Sequence, residues 1–168
     1  MRRIALAAAA TLTLTLLSGC SLRPLYGGGS SSAAATRLSE VSVSPIGGQA
    51  GWLVRNALID RIGDHPNGRY KLDILLDDTI EGFGIRPDAT TTRERRTLRA
   101  RYQLIDSSTN QVVLDRTTGW DAGIDVVDSE YATIAAEQTA LDLLANRIAE
   151  MIISQIATEV ARTPAPAP

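Results

Sequence analysis

Thr92-Arg93-Glu94-Arg95-Arg96-Thr97-Leu98-Arg99-Ala100-Arg101-Tyr102-Gln103-Leu104-Ile105 is the stretch whose reading decides the fold. Its even positions include Leu98, Ala100, Tyr102 and Leu104; its odd positions include Arg93, Arg95, Arg99 and Arg101. Successive side chains of a strand point to opposite faces. The segment therefore reads as a β-strand with one face on a core and a row of guanidinium groups on the other. A sheet that is apolar on one face needs a covering layer on that face.

Working outward, Asp106 to Asn110 is rich in turn formers and reads as a hairpin loop, followed by a strand from about Gln111 to Trp120. On the other side, Tyr70, Leu72, Ile74 and Leu76 alternate with Lys71, Asp73 and Asp77, a third strand. Residues 78 to 90, broken by Gly82, Gly84 and Pro87, read as a strand extension plus a loop. Val41 and Val43 mark a short first strand that ends at Pro45. Between it and the second strand, Trp52, Leu53, Leu58, Ile59 and Ile62 recur at roughly helical spacing, predicting a helix from about Gln49 to Ile62 closed by Gly63. From Ser129 the period changes: Ile134, Leu141, Leu144, Ala145, Ile148, Ile152, Ile156 and Val160 form the stripe of a long amphipathic helix, with Asp128 or Ser129 as its N-cap. At ~1.5 Å per residue this helix outreaches a strand of ordinary length, so one end is expected to overhang the sheet or bend. The order is β-α-β-β-β-α. The fold class is two-layer α+β, with two helices on one face of a four-stranded mixed sheet; strands two to four form an antiparallel meander.

The N-terminus is of another kind. Arg2 and Arg3 precede an uncharged apolar run from Ile4 to Leu17, too short for a bilayer core that takes about 20 helical residues. Residues 1–19 read as a cleaved signal peptide. Leu17-Ser18-Gly19-Cys20 looks like a bacterial lipobox, in which cleavage before Cys20 leaves that thiol lipidated. An ordinary secretory signal with a stray cysteine is the alternative. Cys20 is the single cysteine, so its lipidation leaves no thiol for disulfides, zinc-thiolate sites or catalysis. The covalent lipid would be a membrane anchor, and no other cofactor is expected. Ser21, in place of an aspartate that commonly signals inner-membrane retention, leans towards the outer membrane. Residues 20–36, with the Gly27-Gly28-Gly29 and Ser30-Ser31-Ser32 runs, form a lipidated flexible tether. The folded domain is expected over 37–162, and the Pro-Ala tail 163–168 should be disordered.

Charge and composition exclude several function classes. Loss of Arg2 and Arg3 lowers 17 basic residues to 15 against 19 acidic ones, a net charge of −4. That balance excludes a bulk nucleic-acid binder. His65, the single histidine, lies in a turn with no nucleophile placed near it. Asp121, Asp125 and Asp128 could bind calcium in a loop but lack the spacing of a calcium loop, and an acidic run before a helix is explained by the macrodipole. The chemistry rests with Arg93, Arg95, Arg96, Arg99 and Arg101, five fixed charges in nine residues. Such a row can bind phosphates bidentately, pair with carboxylates such as Asp73, Asp77 and Asp115, or lie inside another protein's lumen.

Cys20-Ser21-Leu22-Arg23-Pro24-Leu25-Tyr26-Gly27 resembles the opening of LPS-assembly lipoproteins of the LptE type. The resemblance continues through Val41-Ser42-Val43, Leu53-Val54-Arg55-Asn56-Ala57-Leu58, Tyr70-Lys71-Leu72, Ala100-Arg101-Tyr102-Gln103-Leu104 and the helix entered near Tyr131. It implies a non-enzymatic outer-membrane lipoprotein, a plug in the lumen of the β-barrel LptD that assists barrel assembly and lipopolysaccharide delivery. The arginine strand would then face lipopolysaccharide phosphates or the barrel wall. An auxiliary lipoprotein of an ABC-type envelope lipid transporter is the alternative of another class.

Overall fold

A computed structural model describes residues 38–85, 91–127 and 129–162. The signal peptide, Cys20, the tether, Asp128 and the Pro-Ala tail lie outside the described residues. The elements run β1 (Val41–Val43), α1 (Gly48–Ile62), β2 (Tyr70–Ile85), β3 (Thr91–Asp106), β4 (Gln111–Asp125) and α2 (Glu130–Arg162). They form the expected α+β fold, with one sheet in the order β1-β2-β3-β4. β1 pairs parallel to β2 through the α1 crossover, and β2–β3 and β3–β4 pair antiparallel.

The alternation in β3 is realised: Leu98, Ala100, Tyr102 and Leu104 are fully buried. They meet Tyr70 and Leu72 from β2 and a continuous stripe on α2, Leu141, Leu144, Ile148, Ile152 and Ile156. Tyr102 also donates a short hydrogen bond from its hydroxyl to Gln155 of α2, tying strand to helix. Gln49 bonds Gln138 while Arg61 reaches Asn146 and Glu150, so α1 and α2 run parallel, side by side on one face.

Three expectations are corrected. Helix α2 does not overhang, because the strands are themselves long. Its 33 residues span about 50 Å and the 16 residues of β2 or β3 about 53 Å. β4 continues past Trp120 to Asp125, so Asp121 and Asp125 lie in a strand and not in a loop. Two stripe residues are misplaced: Trp52 is 62% exposed and Ile134 54% exposed. The contact face of α1 is instead Gly51, Val54, Ala57, Leu58 and Ile62. Small residues do this work because the chain before α1 packs against its first turn. A Cβ at Gly51 would stand 2.7 Å from the Ile46 carbonyl carbon.

The helix ends follow their chemistry. Gly63, at φ +88°, closes α1 by donating its N–H to Ile59 O at 2.8 Å. Ser129 caps α2: its Oγ accepts from the Ala132 N–H at 3.4 Å, and its carbonyl accepts from Thr133.

Candidate functional site

With both helices on one face, no other element of the described residues covers the opposite face of the sheet. Register places Lys71, Asp73, Leu75, Asp77, Thr79, Glu81 and Phe83 from β2 on that face, beside Arg93, Arg95, Thr97, Arg99, Arg101 and Gln103 from β3. Asp115, Thr117, Gly119, Asp121, Gly123 and Asp125 from β4 complete it. The face thus holds five basic side chains (Lys71, Arg93, Arg95, Arg99, Arg101) against six acidic ones (Asp73, Asp77, Glu81, Asp115, Asp121, Asp125). The arginine row is the middle of a charge ladder, and the face is close to neutral.

Individual pairs bear this out. Arg93 lies opposite Asp125 and bonds it at 3.1 Å. Arg95 reaches Asp121 at 3.8 Å and stacks over Phe83, 5.2 Å from the ring centroid. Arg101 grips Asp115 bidentately at 3.2 and 2.8 Å, and Gln103 adds a third bond at 2.9 Å. The Arg101 guanidinium and the Gln103 amide hold the Asp115 carboxyl down at about 2. Lys71 pairs with Asp73 at 3.0 Å. Arg99 differs: among the described residues no carboxylate lies within ion-pair distance of it. It stands opposite Gly119, between Thr97 and Thr117.

Arg96 does not belong to the row. As an even-numbered residue it lies on the helix face, its side chain only 12% exposed. It bonds both oxygens of Asp78, at 2.9 and 2.6 Å, and donates to the carbonyl of Glu137 on α2 at 3.0 Å. The Asp78 hydrogen bond raises its pKa further. It is a clamp between sheet and helix and is unavailable to a ligand on the open face. Beside it, burial and the neighbouring Glu137 carboxylate push Glu94 up.

The other candidates resolve simply. His65 sits half-buried in its turn with Nε2 2.8 Å from Ile62 O, so that nitrogen donates its proton to the helix end. Asp121 and Asp125 serve Arg95 and Arg93. Among the described residues no group of three potential ligands could hold a metal, and no helix is long and apolar enough to cross a membrane. Sequence reasoning missed Asp106. This buried carboxylate accepts from the Ser108 N–H and hydroxyl and from Arg69 Nε and Nη2, which together hold it at about 2 and fix the β3–β4 turn. The Asp-Ser-Ser signature of a side-chain-capped turn was the available signal.

One face sealed by two parallel helices and one left open as a polar ladder define a two-layer scaffold of the kind found among bacterial lipoproteins. A lipoprotein from Caulobacter crescentus shares it, at 26% identity and TM-score 0.66, over 80% of this chain and all of that one. So do rare lipoprotein B from Shewanella oneidensis (12% identity, TM-score 0.55, 70% and 93% covered) and a minor lipoprotein from Acinetobacter baumannii (16%, 0.53, 70% and 91%). No curated protein matches the chain. Residues 38–156 match the lipopolysaccharide-assembly family LptE, and the chain belongs to that family.

Proposed function

We propose that this chain is a non-enzymatic lipopolysaccharide-assembly lipoprotein, anchored by a lipid on Cys20 in the outer membrane. On this reading it plugs the lumen of an LptD-like β-barrel, assists that barrel's assembly and takes part in lipopolysaccharide delivery. The observation that carries the reading is the open sheet face, about 50 Å long, polar apart from Leu75 and Phe83 and near charge balance. Such a face suits the polar inner wall of a barrel, where each charge finds a counter-charge at contact. It suits a polyphosphate less well, because three of its four guanidinium groups, those of Arg93, Arg95 and Arg101, already hold carboxylates. Arg93, Arg95, Arg99 and Arg101 are the proposed contact residues; Arg96 is structural.

The test is purification of the tagged, lipidated chain from gently solubilised membranes, followed by identification of what accompanies it. A stoichiometric large outer-membrane barrel is expected. Inner-membrane transporter subunits in its place would overturn the reading in favour of an auxiliary transporter lipoprotein.

A further inference from the structure

The sheet ends in a long bare edge. β4 pairs with β3 on one side, and among the described residues no strand lies on the other over its 15 residues. Its backbone polarity follows from one bond. Val126 donates to Thr92 O, which makes that register position a hydrogen-bonded pair. In an antiparallel ladder such pairs recur at every second residue. The even-numbered residues of β4 beyond the bulge therefore turn their N–H and C=O groups to β3. The odd-numbered ones, Asp115, Thr117, Gly119, Asp121, Gly123 and Asp125, turn theirs outward. An exposed row of this kind is a template for another strand, and proteins normally blunt it with charged side chains (lysine above all), proline, bulges or a covering element. β4 contains neither proline nor lysine.

A shelf runs beside this edge. Leu143, Arg147 and Met151 step by four along α2 and so share a stripe. Arg147 lies over the ring of Trp120, 5.1 Å from its centroid, and Met151 accepts from the Thr118 hydroxyl, which sets the stripe over β4. Trp120 is 50% exposed and Leu143 65% exposed. On the opposite face of the same strand stand three carboxylates, Asp115, Asp121 and Asp125. β2 also has a free edge beyond its short pairing with β1, but Gly84 at φ +79° breaks its regularity.

We propose that the outer edge of β4 receives an extended segment of the barrel partner by strand addition, with apolar side chains towards Trp120 and Leu143 and basic ones towards Asp121, whose exposed carboxylate has only a 3.8 Å contact with Arg95. This inference rests on the plug reading. The wall strands of a closed barrel have no free edge, so the donor is a segment of the partner outside the wall. Main-chain bonds supply affinity in this mode, and the alternating side chains supply specificity.

Amide hydrogen exchange on the full lipidated chain, alone and co-purified with its barrel in the same detergent, tests this. The outward amides of Thr117, Gly119, Asp121 and Gly123 should exchange at least tenfold more slowly in the complex. Thr117→Pro removes an outward donor while leaving the β3 ladder intact; it should reduce the barrel retained several-fold, with Thr117→Ala unchanged. Leu143→Glu, on the shelf and away from the backbone, should reduce it likewise. A barrel that co-purifies while β4 exchanges at equal rates overturns the inference alone. Absence of any barrel overturns both it and the plug reading. Protection that appears in the isolated chain and grows with its concentration would assign the edge to a second copy and overturn the partner proposal.

Discussion

Arg96→Ala separates the arginine that builds the fold from those that face outward. The substitution removes two charge-assisted bonds to Asp78 and one to Glu137 O. It leaves the Asp78 carboxylate, whose side chain is 25% exposed, without its counter-ion. Breaking a fully buried pair costs about 3–5 kcal/mol; partial access of water to Asp78 lowers this to about 2 kcal/mol. For a domain of this size that corresponds to a fall in Tm of about 4–8 °C. Urea titrations followed by circular dichroism on Arg96→Ala, Asp78→Ala and the double variant would give a coupling energy of about 1–2 kcal/mol. Arg99→Ala, exposed and without an ion pair among the described residues, should stay within about 0.5 kcal/mol of the parent. An Arg96→Ala loss below ~0.5 kcal/mol, or a coupling indistinguishable from zero, would refute the clamp.

Acid should destabilise the domain in a defined window. Asp106 and Asp115 both sit at about 2 in the folded chain against an ordinary 3.8. Depressed carboxylates stabilise above their unfolded value, and that contribution is lost as pH falls through the folded one. Thermal midpoints should therefore drop between about pH 4 and pH 2, and Asp106→Asn with Asp115→Asn should flatten that slope. Gly63→Ala should cost about 1–3 kcal/mol in urea titrations, since φ +88° disfavours a side chain and the new Cβ would meet His65 Nε2 at 2.6 Å. Ile148→Ala, at a fully buried position on α2, should cost about 2–5 kcal/mol. Leu143→Ala on the same helix, 65% exposed, should fall within about 0.5 kcal/mol by the same titration.

Much of the fold was legible because its signals are local. The two-residue period of β3 and the three-to-four-residue step of α2 each lie within one segment, and Gly63 and Ser129 mark helix ends through their own chemistry. The misplacements have a common cause. In α1 the contact face is set by small residues, Gly51 and Ala57, which carry little hydrophobic signal, while Trp52 carries much and points outward. In β2 and β4 the distal halves hold Asp78, Gly82, Asp121 and Gly123, poor strand formers. Pairing with β3 on a shared register extends them; propensity does not.

The arginine row shows the limit most sharply, because its meaning is set by distance in space and not by density in sequence. Five arginines in nine residues look like a patch for anions. Register sends one of them to the helix face and brings Asp125 to Arg93 across 32 residues of chain and Asp115 to Arg101 across 14. Opposite charges interleaved at contact distance cancel beyond the separation of neighbouring strands, and salt screens what remains within about 8 Å at physiological ionic strength. Such a face cannot draw in a polyanion from afar, yet it is expensive to cover with anything apolar, since every pair would have to be desolvated. Its natural complement is another wetted surface whose charges exchange partners with it at contact. The exposed edge of β4, with outward amides and an apolar shelf, is the part of the sheet built for directional attachment. The broad ladder then sets where the scaffold can lie, and the edge sets what holds it there.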